Sequence, residues 1–461
     1  EPELAKILNQ YTPRLLAPEN DRLVLKLAKE KLLIKLMSIC GIPDLKFEAL
    51  LVSIRANLLF GQSEIKESEI LLEFQSALAL QCFFNEYLYP TEEDEWEALN
   101  LLEEEVSSNL LEGQQPIPSK ILCLASYKPL YKCEWHEYIK PVPSLKAVIQ
   151  RQVEEPITET QLKEKIPTLK SISHRVSFRV RDQYEEDPYP RWVNIALNSR
   201  PRSIANLFGS YNLCVNNESI FDVDAPEILV AGCGTGQHPI TTACRFKDSQ
   251  ILAIDLSITS LAHALRKTEE LELTNIKYMQ ADILDVGNLE RRFDVVESVG
   301  VLHHMQDPLL GWKRLTECLK PAGLMRIGLY SELARQDIVK IRNEIKLLKV
   351  GSGREDLQAF RGTLINSDKE HHKRVTESTD FYNLSAMRDL LFHVQEHRYT
   401  IPKIQDLLKK FDLEFLGFTN SSIKKEYSKI YPEDLKNTSL ENWNNFEINN
   451  QDIFIEMYQF W

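Results

Sequence analysis

Apolar positions recur with two different periods along this chain, and the change of period divides it. Up to about residue 150 they fall at helical spacing. Leu23, Leu27, Leu33, Ile34 and Met37 form one run, which Gly41 and Pro43 stop. A second run, from Glu69 to Tyr89, is rich in Leu, Phe and Ala and ends before Pro90. Thr91, with Asp94 three residues on, makes a capping-box start for an acidic helix through Trp96, Leu99 and Leu102. Nothing recurs at a period of ~34 residues, so Trp96-x-x-Leu99 does not make a helical repeat.

Between about 115 and 225, prolines at 116, 118, 129, 141, 143, 156 and 167 break the chain into short pieces. The string from Tyr184 to Trp192 contains Pro188 and Pro190, which predict a stiff extended or turned loop bearing aromatic and acidic side chains. From Glu227 the pattern becomes strand then helix, repeated. Strands are predicted at Ile228–Ala231, Ile251–Ile254, Ile276–Met279, Phe293–Val299 and Leu324–Tyr330. Such alternation predicts an α/β fold with a doubly wound parallel sheet and ligands at the carboxyl ends of its strands. Residues 333–400 then read as helical, with a helix from Arg388 to His397, and Pro402 opens another helix. Leu413–Phe418 and Phe454–Trp461 are predicted as a sixth and a seventh strand. The expected organisation is a helical N-terminal domain over 1–150, a connecting region over 151–225, a core over 226–332 and 401–461, and a helical insertion or lid over 333–400.

Composition narrows the function classes. With 461 residues, 43% of them hydrophobic and 27% charged, two or three domains with a sizeable core are expected. No apolar run approaches the ~18–20 residues that span a bilayer, and no leader pattern opens the sequence, so a cytoplasmic protein without a membrane partner is expected. The chain starts at Glu1, as a piece of a longer protein would. A net charge of −13 argues against a nucleic-acid partner. Arg175, Arg179, Arg181, Arg191, Arg200 and Arg202 are interleaved with acids; they read as an ion-paired surface or as a grip on one anionic group. The eight cysteines include no Cys-x-x-Cys pair, so no structural metal is expected and buried thiols are.

The first strand ends in Gly232-Cys233-Gly234-Thr235-Gly236. Glycines there let backbone amides approach a ligand that any Cβ would push away. A dinucleotide fingerprint needs its third glycine at 237, where Gln237 stands; the spacing is G-x-G-x-G instead. Asp255 ends the second strand, where a carboxylate can accept both hydroxyls of a ribose. Asp282 ends the third, where a carboxylate or its neighbouring backbone can read an adenine edge.

These segments resemble the motifs of the class I S-adenosylmethionine-dependent methyltransferases. Ile228 to Gly236, Ala253 to Ser257 and Gln280 to Ile283 look like the family's successive cofactor motifs. Val299 to Pro308 is similar to its segment after the fourth strand, and Lys320 to Leu324 to its turn into the fifth. The resemblance implies a seven-stranded, Rossmann-like sheet with an antiparallel last strand. It implies S-adenosylmethionine as cofactor, with S-adenosylhomocysteine as product. Cofactor contacts are implied at Ala231, Gly232 and Gly234 for the methionine portion, Asp255 for the ribose, and Asp282 and Ile283 for the adenine, with Gly236 and Leu256 also among the cofactor-binding residues. Asp187 to Trp192 and Arg388 to His397 resemble segments of bacterial methyltransferases often fused to tetratricopeptide repeats.

His303 and His304 follow the fourth strand, beside the expected methyl, where an imidazole can act as general base or merely pack. Tyr189 joins them as a catalytic candidate. Glu185, Glu186 and Asp187 can hold a cationic group while Tyr184, Tyr189 and Trp192 wall its stem, with Arg191 among them; the same string also reads as a rigid elbow with Trp192 in the core. His393-x-x-Glu396-His397 formally matches an inverted zinc-protease pattern, but is expected as a polar helix lining the substrate mouth, with no metal. The expected function is methyl transfer to an N or O acceptor. A protein or peptide is favoured by the surface the N-terminal helices provide, which is also where any self-association would occur. A small-molecule acceptor and a non-catalytic, cofactor-binding regulator are the alternatives.

Overall fold

Ile228, Leu229, Val230 and Ala231 are all 0% exposed, so the first predicted strand is covered on both faces, as a parallel strand between helix layers must be. The computed structural model describes residues 19–61, 68–197 and 200–461. Its sheet contains β1 (Glu227–Ala231), β2 (Gln250–Asp255), β3 (Ile276–Gln280), β4 (Phe293–Val299), β5 (Leu319–Leu329) and β6 (Tyr458–Phe460). Their order is β3-β2-β1-β4-β5-β6, with β1 to β5 parallel and β6 antiparallel to β5. The order reverses between β1 and β4, and ligands of doubly wound sheets bind at that switch point.

Among the described residues the sheet has six strands where seven were expected. The missing one is Leu413–Phe418. Phe415, Leu416 and Phe418 are all buried, which a strand alternating between two faces does not require, and Gly417 takes φ +132°. The segment instead meets β6 through Leu416 N to Trp461 O, Trp461 N to Gly417 O, and one isolated bridge from Phe418 to Phe460. β5 starts earlier than predicted, at Leu319. Its register against β4 jumps from Phe293–Leu319 to Val295–Leu324, which absorbs the turn at Lys320 to Gly323 as a bulge. Trp312, Phe418, Tyr427, Trp443 and Phe460 anchor the core on one face of the sheet.

Contacts divide the chain into two units. The sheet unit holds Glu159–Pro190, Ile195–Glu344 and Leu391–Trp461. The other holds the described part of Glu1–Thr158 with Arg191–Asn194 and Ile345–Leu390. In this helical unit the run from Leu23 to Met37 forms two helices, Glu19–Leu27 and Lys31–Ile39. The acidic helix Glu93–Leu111 is capped by Glu92 and Glu95, one residue beyond the predicted Thr91 and Asp94. Within the predicted insertion the α-helices among the described residues are Gln336–Leu348, Arg354–Ile365, Glu370–Thr376 and the short Leu384–Met387. The predicted helix Arg388–His397 is instead a π-helical turn, Arg388–Phe392, followed by extended chain from His393. Among the described residues, no helix is long and apolar enough to cross a membrane.

Arg361 joins its segment to the N-terminal helices by a bidentate pair with Glu48, Nη1 to Oε1 at 2.6 Å and Nη2 to Oε2 at 2.7 Å, with both side chains buried. Removing one partner of such a pair leaves an uncompensated buried charge, which costs about 3–5 kcal/mol, whereas an apolar pair of similar volume costs much less. Urea unfolding of Glu48→Ala is therefore expected to lose about that amount, and Glu48→Leu with Arg361→Met to retain most of the stability. Equal losses in both variants would contradict the bidentate pair as the reason this segment docks.

Candidate active site

The turn after β1 is built from backbone that only glycine adopts easily. Gly232, Gly234 and Gly236 have φ of +76°, +51° and +95°. A Cβ on Gly232 would collide with a methyl carbon of Val301, and one on Gly236 would lie 2.6 Å from Cβ of Ala264. The third glycine thus lets the helix Ile258–Glu270 approach, a packing role the spacing alone did not reveal. Gly232 N and Cys233 N both donate to Ile254 O, which binds the turn to the end of β2.

Asp255 is the hub of this turn. Its Oδ2 accepts from Gly234 N at 2.8 Å and its Oδ1 from Ser257 N at 2.9 Å. Burial pushes its carboxyl above the usual range, against the pull of the backbone N–H groups of Ser257, Gly234 and Leu256. Hydroxyl donors from a ligand would supply the solvation this carboxylate lacks. Leu256 O accepts from Gln280 Nε2 at 2.9 Å, which ties the ends of β2 and β3. Asp282 caps the short helix Ile283–Leu289 through Oδ1, while its Oδ2 is buried without a hydrogen-bond partner. An exocyclic amino group is the kind of donor that satisfies such an oxygen. Ile283 beside it is 6% exposed and belongs to the sheet core.

The string from Tyr184 to Trp192 is less loop than predicted. Tyr184, Glu185 and Glu186 form the last turn of the helix Arg175–Glu186, and Asp187 is its buried C-cap. Tyr184 O accepts from Ser257 Oγ at 3.0 Å. Glu185 caps the helix Ile258–Glu270, accepting from Ile258 N and from Thr259 Oγ1. Tyr189 O lies 2.9 Å from where a Cβ of Gly234 would stand, and Pro190 O accepts from Thr235 Oγ1 at 2.5 Å. The string therefore straps the glycine turn. Arg191 and Trp192 fall in the helical unit, where Arg191 Nε pairs with Glu86 at 2.8 Å and Trp192 is 6% exposed. The six arginines of this region do not share one ligand: Arg181 pairs with Asp182, and Arg175 and Arg179 are exposed.

A column of rings stands beyond the carboxyl ends of β4 and β5. His303 stacks on Tyr330 at 3.8 Å and meets His304 edge-on at 4.3 Å; His304 stacks on His393 at 3.6 Å, and Tyr184 lies 5.8 Å from His393. The extended segment after Phe392 is held across these strand ends by His397 N to His303 O at 2.8 Å and Tyr399 N to Tyr330 O at 2.9 Å. His304 Nδ1 donates to Gln395 O at 2.8 Å, and His393 Nδ1 lies the same distance from that carbonyl. His393 and His397 share no helix face, so the helical premise of the zinc-like pattern does not hold. Glu396 is instead ringed by Arg335, Arg342 and Arg398. Gln395, Tyr330 and Arg335 were not foreseen as site residues; only Tyr330, at a predicted strand end, carried a positional signal. Burial holds His303 and His393 well below the usual histidine range, helped by His304 and by the guanidiniums of Arg335 and Arg342.

A cradle that admits backbone but no Cβ, a carboxylate short of donors at the end of β2 and an unpartnered carboxylate oxygen after β3 fit a nucleoside lying across the strand ends. The antiparallel last strand is the one that the resemblance to the class I methyltransferases implied. Residues 228–323 match the family model described as a methyltransferase domain. Those residues therefore carry a methyltransferase domain, within the segment whose motifs resemble the S-adenosylmethionine-dependent family. The chain is 31% identical over 204 residues to an uncharacterized protein of Synechococcus sp., covering 42% of this chain and 49% of that protein. It is 33% identical over 102 residues to (S)-coclaurine N-methyltransferase of Papaver somniferum, covering 22% of this chain and 29% of that enzyme. Among solved structures it is similar to PKMT2 from Rickettsia typhi in complex with AdoHcy, at 17% identity and a TM-score of 0.42, over 59% of this chain and 53% of that one. The chain spans about half the length, or less, of these curated relatives.

Loss of the Asp255 carboxylate removes charge-assisted hydrogen bonds and releases Gly234 N and Ser257 N. Asp255→Ala is expected to weaken S-adenosylmethionine binding by about 1–3 kcal/mol in a calorimetric titration, roughly 5- to 150-fold in Kd. Unchanged affinity in a folded variant would remove Asp255 from the ribose site.

Proposed function

We propose that the chain is an S-adenosylmethionine-dependent methyltransferase acting on an N or O acceptor, with a protein or peptide as the favoured class. The observation that carries this is the cofactor cradle around Asp255 lying beside the buried imidazole column after β4. The cofactor supplies a methyl group on a sulfonium, a good leaving group, so the protein's task is alignment and exclusion of water. Gly232 and Gly234 offer backbone to the methionine portion, Asp255 holds the ribose, and Asp282 with Ile283 takes the adenine. Tyr189 and Pro190 hold the turn from above, and His303 and His304 face the acceptor. Metal plays no part in this reading.

The helical unit supports a macromolecular acceptor, because it offers more surface than a metabolite needs. A small-molecule acceptor is the second reading, favoured by the burial of His303 and His393, which are 0% and 2% exposed. The test is incubation with methyl-labelled S-adenosylmethionine and a cell extract filtered into macromolecular and small-molecule fractions. Label is expected in the macromolecular fraction. Label confined to the small-molecule fraction would select the second reading. Label in neither, with the cofactor bound, would contradict an enzyme and leave a cofactor-sensing regulator.

A further inference from the structure

Two carboxylates are bound to the start of the helix Ile258–Glu270 through neighbouring backbone amides. Asp255 Oδ1 accepts from Ser257 N at 2.9 Å. Glu185 Oε1 accepts from the next amide, Ile258 N, at 2.5 Å and from Thr259 N at 3.4 Å. The second oxygen of each is engaged as well: Asp255 Oδ2 takes Gly234 N at 2.8 Å, and Glu185 Oε2 takes the Thr259 hydroxyl. Consecutive amides are thus divided between a carboxylate at the end of β2 and one in the last turn of the helix Arg175–Glu186.

Ser257, whose amide completes Asp255, is pinned by the same helix end. It is 0% exposed, and its hydroxyl donates to Tyr184 O at 3.0 Å while accepting from Ser260 N at 3.0 Å. Glu185 supplies what an N-cap supplies, an acceptor for the first amides of the helix, but from a segment more than 70 residues away in sequence. Loss of its carboxylate leaves Ile258 N and the Thr259 hydroxyl without that acceptor and loosens the peptide that Asp255 holds.

The charges around Asp255 give this arrangement a second consequence. Burial holds the Asp255 carboxyl above the usual carboxylate range, and the negative charge of Glu185 pushes it the same way, against the backbone donors Ser257 N, Gly234 N and Leu256 N. The glycine turn contributes the Cys233 thiol, which burial and Asp255 together hold well above the usual thiol range. The first turn of the helix Ile258–Glu270 carries no charged side chain. Lys163 stands one atom removed from Glu185, donating to Thr259 Oγ1 at 2.7 Å. At the end of β3, Gln280 is neutral and Asp282 caps its own helix. Hydroxyl donors favour the ionised carboxylate, so a nucleoside binds more weakly as pH falls and Asp255 takes up a proton. Removing the charge of Glu185 lets Asp255 stay ionised to lower pH.

We propose that Glu185 is a positioning residue for the nucleoside: it touches no ligand, holds the amides beside Ser257 so that Asp255 presents its carboxylate to the ribose, and places a second negative charge next to it. This rests on the methyltransferase reading above and deepens it, because an acid in the string before the sheet then serves the cofactor rather than the acceptor.

The test is calorimetric titration of the full chain with S-adenosylhomocysteine, with folding of each variant checked by circular dichroism. Glu185→Gln keeps the shape of the cap and removes its charge. At pH 7.5 its Kd is expected within about threefold of the unaltered protein, and its loss of affinity on acidification is expected to set in at lower pH. Glu185→Ala removes the cap and is expected to weaken binding roughly tenfold, but less than about twofold when Asp255 is already alanine, because residues that act through one another are not additive. The same loss in both backgrounds would make Glu185 an independent structural support. An acid limb that is absent, or that stays in place in Glu185→Gln, would remove its charge from the site. Either result would overturn the proposal. Failure of the unaltered protein to bind S-adenosylhomocysteine would instead sink the methyltransferase reading.

Discussion

One carboxylate holds the cofactor end of this molecule together. Asp255 accepts Gly234 N from the glycine turn and Ser257 N from the start of the next helix, so one side chain fixes both loops that flank the switch point. A third segment is fastened to the same helix start. Glu185 caps Ile258–Glu270 and Tyr184 O takes the Ser257 hydroxyl, which brings the following Tyr189 and Pro190 down onto Gly234 and Thr235. Backbone this tightly packed leaves no space for side chains at 232 and 236, which is why the turn requires glycines rather than tolerating them.

The column of rings follows a different logic. Around Asp255 charge and dipole are abundant, as a ligand with hydroxyls needs. Beyond β4 and β5 three imidazoles and two tyrosine rings pack together, burial holds His303 and His393 below the usual histidine range, and the guanidiniums of Arg335, Arg342 and Arg398 are engaged by Glu396 and Glu332.

What the sequence disclosed and what it hid follow from the range of the interactions. The five parallel strands were legible because strands buried on both faces read as continuous apolar runs, and Asp255 because strand end and glycine spacing are local facts. Leu413–Phe418 looked the same but places Phe415, Leu416 and Phe418 in a core reached by irregular chain. Arg388 to His397 looked helical from Leu390, Leu391 and Val394, yet backbone bonds from His397 and Tyr399 to strand ends pull it straight. Glu185 read as a substrate acid because its partners lie 73 and 74 residues away. The Glu48–Arg361 pair spans 313 residues, beyond any periodicity or spacing rule.

The central claim is that the G-x-G-x-G turn with Asp255 and Asp282 holds a nucleoside sulfonium and not a dinucleotide. Calorimetric titration of the protein with S-adenosylmethionine, with NAD as the comparison ligand, tests it most directly. Saturable one-site binding of S-adenosylmethionine and none of NAD is the predicted result. Binding of NAD, or of neither ligand to folded protein, would contradict it.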